Sequence, residues 1–208
     1  MKKARFGRNA AAMAAVASLM LLACSPALDW RTVRPTHSPD LQAVFPCKPT
    51  QLDRQVALPA LPGPPVTLHL VSCKVGDATW ALSYFDAQEI GRVSLGLAAD
   101  NRALRDNLEA LGRLGPPTAD AGSLVTAQDL GPSKVAGMTP HGLSRHWRLV
   151  GRRPAEPGGH EPLEVHAWHF SHGLTVYQAT LWRPIPPANA KDSTDAVETF
   201  IQGFKFSD

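Results

Sequence analysis

The sequence predicts an α+β fold: an antiparallel β-sheet covered by helices, in a single domain. Three observations carry that prediction. Runs of alternating apolar residues recur in both halves of the chain, each bounded by Gly or Pro turns. Between the halves, leucines at helical spacing extend from Leu97 to Leu114. A second amphipathic stretch closes the chain. Strand runs that follow one another across tight turns form hairpins, so antiparallel pairing is expected.

The elements follow in order. Ala43-Val44-Phe45 is a short apolar strand, and Arg54 to Leu58 alternates. Pro59, Pro62, Pro64 and Pro65 cannot donate to a ladder, so Leu58 to Pro65 is a loop. Val66 to Val75 alternates over ten residues, Gly76-Asp77 turns the chain, and Thr79 to Phe85 returns, which predicts a hairpin. In the helix, Leu97, Leu104, Leu108, Leu111 and Leu114 share one stripe, while Arg102, Arg105, Asp106 and Glu109 face away. Gly115 with Pro116 and Pro117 ends it. Leu124 to Leu130, Leu143 to Val150, Leu163 to Ser171 and Leu174 to Trp182 are the later strands. Pro154 to Pro162 is an exposed hairpin tip, and His172-Gly173 a tight turn. Pro184 to Pro187 closes the sheet. Asp192 or Ser193 caps a last helix whose face is Ala196, Val197, Phe200, Ile201 and Phe204.

Ahead of the domain, Lys2, Lys3, Arg5 and Arg8 precede an apolar stretch from Ala10 to Ala23, broken only by Ser18. A spanning helix needs about 20 apolar residues, so this stretch is too short to cross a bilayer. Its end, Leu21-Leu22-Ala23-Cys24, resembles the lipobox of bacterial lipoproteins. The resemblance implies a signal peptide over 1–23, lipidation of Cys24, a tether over 24–40 and a globular domain over 41–208. Membrane attachment then runs through the lipid on Cys24. Ser25 stands where aspartate would resemble an inner-membrane retention signal, so the expected location is the outer membrane, facing the periplasm. An ordinary secretory peptide with a chance cysteine is the other reading of the same residues.

Composition bounds the partners. The 208-residue chain has 21 Lys and Arg against 18 Asp and Glu, but four of the basic residues and none of the acidic ones precede Cys24. The mature chain therefore holds 17 against 18, a net charge of −1 with His neutral. Nucleic-acid binding needs a clustered basic footprint, which this balance argues against. Arg145, Arg148, Arg152 and Arg153 read as solvated strand and turn residues. Cys47 and Cys73 remain after lipidation, an even pair in an oxidising compartment, and a disulfide between them is the economical expectation. A free or reactive pair is the alternative. Trp30, the large apolar residue of the tether, is either an interfacial anchor or docks on the domain.

Several short motifs together resemble the PsbP-like α/β domains. They are Phe45-Pro46-x-Lys48-Pro49, the hairpin ending in Tyr84-Phe85-Asp86, the Gly137 to Pro140 loop, and Phe200-Ile201-x-Gly203-Phe204-x-Phe206. The resemblance covers most of residues 41 to 206. It implies an α/β/α sandwich and an accessory or binding role, and it supplies no catalytic residues.

His160, His166, His169 and His172 fall within thirteen residues, and imidazoles bind zinc, copper or nickel. Strand geometry separates them. His166 and His172 share a face with Trp168 and Phe170, while His169 points to the other face. An unbroken strand would hold His166 and His172 roughly 20 Å apart. Ser144 with His141, His146 and Asp129 lacks the Gly-x-Ser-x-Gly elbow of a hydrolase. Glu161 and Glu164 flank a turn and read as solvated charge. The expectation is a non-catalytic, lipid-anchored periplasmic accessory protein, without a cofactor and with an envelope protein as partner. The alternatives are a metal-binding protein or metal-dependent hydrolase using the His160 to His172 region, and a small-ligand carrier with a pocket between sheet and helix.

Overall fold

The computed structural model describes residues 28–114, 125–156, 158–186 and 192–207. The expected signal peptide, Cys24, Ser25, the expected Gly115-Pro116-Pro117 helix stop, Leu124, Pro157 and Pro187 lie outside the described residues, and so do the side chains of the expected caps Asp192 and Ser193.

Alternating apolar residues become an antiparallel sheet with both faces covered. Its strands are β3 (Thr50–Val56), β4 (Val66–Val75), β5 (Ala78–Asp86), β6 (Thr126–Pro132), β7 (Arg145–Pro154), β8 (His160–His172) and β9 (Thr175–Pro184). The spatial order is β3-β4-β5-β9-β8-β7-β6, and every pairing is antiparallel. Helix α1 (Ile90–Gly112) joins β5 to β6 and lies on one face. The other face carries α2 (Asp192–Gln202) and a small sheet in which β1 (Arg31–Val33) and β10 (Lys205–Phe206) flank β2 (Leu41–Phe45).

Side-chain alternation assigns each residue its cover. Val93, Leu97, Leu104 and Leu108 of α1 pack in clusters with Phe85, Val176, Leu149, Leu163 and Val165. Gly151 makes this fit possible, because a Cβ there would lie 2.7 Å from Leu108 Cγ. On the opposite face, Trp80, Leu82, Tyr84, Trp168, Phe170 and Tyr177 meet Leu41, Phe45, Phe200, Phe204 and Phe206. Phe200 sits at the centre. Its ring centroid lies 5.0 Å from Trp80, 5.7 Å from Phe45, 5.0 Å from Phe204 and 6.1 Å from Trp168, all edge to face.

Four differences from the sequence expectation have physical causes. The segment 24–40, expected as tether, is paired from Asp29 onward: Asp29 N–H donates to the Pro46 carbonyl, and β1 aligns with β2. Trp30 takes the docked one of its two expected placements, edge to face on Trp80 at 5.9 Å. Pro154 to Pro162 is mostly ladder, since Arg153 pairs with Glu161 and Arg152 with Pro162. The turn is therefore confined to the residues between Pro154 and His160. Leu114 is 57% exposed, because the helix ends before it, whereas Arg105 is drawn inward over the Trp147 ring at 4.5 Å.

Cys47 and Cys73 form a disulfide, with Cα atoms 6.0 Å apart. It ties the segment after β2 to β4, and so fastens the small sheet to the large one. Closing a loop of 26 residues' separation is worth roughly 3 kcal/mol in the chain-entropy model.

Replacing both cysteines by serine should lower the unfolding free energy by roughly that amount, read from urea melts. Phe200→Ala should cost about 3–5 kcal/mol in the same melts, whereas Ile90→Ala, at a side chain 84% exposed, should stay within about 0.5 kcal/mol of the parent.

Candidate functional site

The antiparallel register of β3 and β4 sets Asp53 directly opposite His69. Directly paired residues share a face of the sheet, and His69 Nδ1 meets Asp53 Oδ1 at 2.8 Å. A third group arrives from the loop between β1 and β2: His37 Nε2 lies 3.4 Å from Asp53 Oδ2. The two imidazoles stack with centroids 4.2 Å apart, and Tyr84 of β5 stacks beneath His69 at 5.0 Å.

The loop that carries His37 is held on both sides. Thr36 Oγ1 donates to Gln51 Oε1 on β3 at 3.0 Å, and buried Ser38 shares a 2.8 Å hydrogen bond with the Tyr177 hydroxyl on β9. His37 and Asp53 side chains are about half exposed, while His69 is 16% exposed. The hydrogen bond from His69 holds the Asp53 carboxyl below its usual range, against an opposing effect of burial. Two imidazole nitrogens and a carboxylate thus lie within 4.8 Å of one another. No helical His spacing announces this group in the sequence. The available signal was the register: pairing Val56 with Val66 across the proline loop necessarily sets Asp53 against His69.

The four histidines between His160 and His172 are placed in four separate environments. His160 Nε2 donates to the Leu114 carbonyl just past the end of α1, at 2.8 Å. His172 Nδ1 donates to the Gly137 carbonyl and stacks on Phe206 at 4.1 Å. His166 lies 3.2 Å from His146 Nε2 and faces Glu164, beside Trp168. His169 is buried on the opposite face, under α1.

Glu164 is 3% exposed and receives Arg148 Nε on one oxygen and Arg183 Nε on the other. Burial alone would raise its carboxyl. The hydrogen bonds from His166, Arg148 and Arg183 outweigh burial and hold it at about 2. Beside it, burial lowers His146 to about 4, so that ring is neutral at pH 7. The cluster is a compensated charge network. Glu161 pairs with Arg153 instead.

The residues considered as a hydrolytic set are not brought together. Asp129 is engaged by Arg145, and the Ser144 hydroxyl is buried with no hydrogen-bond partner among the described residues. His141 Nε2 instead meets Ser94 on α1 at 2.8 Å. His141 Nδ1 accepts the Leu143 N–H, so a neutral ring carries its proton on Nε2 and donates it to Ser94. That tautomer cannot deprotonate the serine.

Under α1, Gln178 Nε2 donates to Asp100 Oδ2 at 3.0 Å and contacts His169 Nε2 at 2.9 Å. An amide N–H only donates, so His169 Nε2 accepts and the ring is neutral, in accord with burial lowering it to about 4. Burial raises Asp100 to about 7, against the opposing bond from Gln178. Asp100 occupies the leucine stripe between Leu97 and Leu104, where periodicity calls for an apolar residue.

Comparison of the chain with family models, with curated proteins and with solved structures finds no match.

Asp100 keeps its proton in the folded state between about pH 4 and pH 7, while the unfolded chain has lost it. Its contribution to stability is full below about pH 4 and is lost as pH rises through 7, on the order of 4 kcal/mol in all. His169 works in the opposite sense, adding stability as pH rises from 4 through 6.5. Comparison with Asp100→Asn isolates the carboxyl: the variant should be close to the parent at pH 4 and more stable by up to about 4 kcal/mol at pH 8. Equal differences in urea melts at both pH values would refute a buried neutral acid.

Proposed function

We propose that this chain is a lipid-anchored protein of the periplasmic face of the outer membrane that works by binding, as an accessory or assembly factor of the cell envelope. The observation that carries the proposal is Leu21-Leu22-Ala23-Cys24 behind a basic n-region. The Cys47–Cys73 disulfide supports an oxidising compartment. A sheet with one helix on one face, and a helix with a small sheet on the other, supports the PsbP-like reading of the domain.

The start of pairing bears on how such an anchor would act. Among the described residues, hydrogen bonding to the domain begins at Asp29, five residues after Cys24. Five extended residues reach at most about 18 Å, so a lipid on Cys24 holds the domain close to the bilayer surface. Among the described residues, no helix is long and apolar enough to cross a membrane. Attachment in this proposal therefore rests on the acyl chains, whose burial contributes about 0.8 kcal/mol per methylene.

Mass spectrometry of the chain recovered from its own membranes tests the anchor. The expected mature N-terminus is a triply acylated Cys24, and Cys24→Ala should abolish the acylated species. An N-terminus at another residue, or an unmodified Cys24 thiol, would sink the proposal. Crosslinking of the anchored chain in cells should capture a reproducible envelope protein, and failure to do so would remove the accessory role.

A further inference from the structure

We propose that His37, Asp53 and His69 form a binding site for a divalent transition-metal ion of the zinc class, with one coordination position left open. The inference does not depend on the lipid anchor.

The donor set carries the choice of ion. Imidazole nitrogen suits zinc, copper and nickel, while oxygen-only sets suit magnesium and calcium. Two histidines and one carboxylate leave a fourth position of a tetrahedron for water or an incoming ligand, as in open zinc sites. At metal–ligand distances of about 2.0–2.2 Å, tetrahedral donors stand roughly 3.4 Å apart. The contact of Asp53 with His37, 3.4 Å, is already of that size, and the 2.8 Å hydrogen bond to His69 would lengthen by about 0.6 Å as the ion replaces the shared proton. The widest separation in the group is no more than 4.8 Å, and coordination by both imidazoles requires the stacked His37 and His69 rings, whose planes stand 24° apart, to tilt toward a common ion.

An ordinary surface ion pair is the competing account, and two features tell against it. A surface pair joins two long side chains and is worth about 0–1 kcal/mol. Here one carboxylate is approached by two imidazoles from different elements, one on each oxygen. The approach is also built. His69 is fixed by its stack on Tyr84 and by the ladder of β4, and Asp53 is its register partner. His37 is presented by a loop pinned at the preceding and following residues, Thr36 to Gln51 and Ser38 to Tyr177. Prior positioning of this kind reduces the ordering cost of binding.

The position has a consequence for the fold. His37 belongs to the connection between β1 and β2, whereas Asp53 and His69 lie on the outer two strands at one end of the main sheet. A bound ion would add a coordinate link between the two sheets to the covalent one made by the disulfide. Because the unfolded chain does not assemble the three ligands, binding should raise the melting temperature.

The test is zinc chloride titrated by calorimetry into the untagged full chain, purified in detergent and freed of metal by a chelator. The expected result is one equivalent bound, and a melting temperature raised by about 5 °C or more at a hundredfold excess over Kd. His37→Gln, Asp53→Asn and His69→Gln should each weaken binding at least about tenfold. His146→Gln, in the partly buried His146–His166 pair, should leave binding unchanged. Circular dichroism of each metal-free variant, matched to the parent, separates loss of a ligand from loss of the fold. No saturable binding to the parent, or binding that survives all three substitutions in folded variants, would overturn the proposal.

Discussion

Phe200 stands with its ring against Trp80 and Trp168 of the main sheet, Phe45 of the small sheet and Phe204 just beyond its own helix. One side chain thus joins three elements that could not bury their apolar faces alone. The main sheet needs this cover because its residues on that face are Leu82, Tyr84, Phe170, Tyr177 and Leu181, all nearly inaccessible to water. The small sheet unites the two ends of the chain, since β10 pairs with β2. Gly203 permits the close approach, as a Cβ there would come within 2.5 Å of Val44 Cβ. The aromatic layer therefore closes a long loop, whose entropic cost the Cys47–Cys73 bridge reduces from the other side.

The two faces handle buried charge differently. Glu164 remains ionised because two arginines and a histidine donate to it, so hydrogen bonding outweighs burial. Asp100 has one donor, Gln178, and burial prevails. A third carboxylate, Asp53, keeps its charge at the solvent edge and turns both oxygens toward imidazoles. Among these three, Asp53 alone combines a free approach from solvent with neighbours that can themselves become ligands. That combination is why the strongest candidate for binding lies at the edge of the sheet and not within its polar interior.

What could be read from the chain alone was whatever a local period reports. Alternation over Val66 to Val75 and Thr79 to Phe85 marked the central hairpin, and the leucine spacing marked the face of α1, since each pattern records burial on one side of one element. The placing of His169 opposite His166 followed from the same period. The disulfide was legible once Cys24 was set aside as the expected lipidation site, because the two remaining cysteines allow one pairing. Tertiary structure decided the rest. Arg31 to Val33 has no apolar pattern of its own and becomes a strand only because β2 offers an edge. Asp100, on the apolar stripe of its helix, acquires its partner only when Gln178 arrives from a strand 78 residues later. His37, Asp53 and His69 meet through a register and a loop path, both set by long-range pairing energies, and no spacing along the chain encodes a distance between residues that only folding brings together.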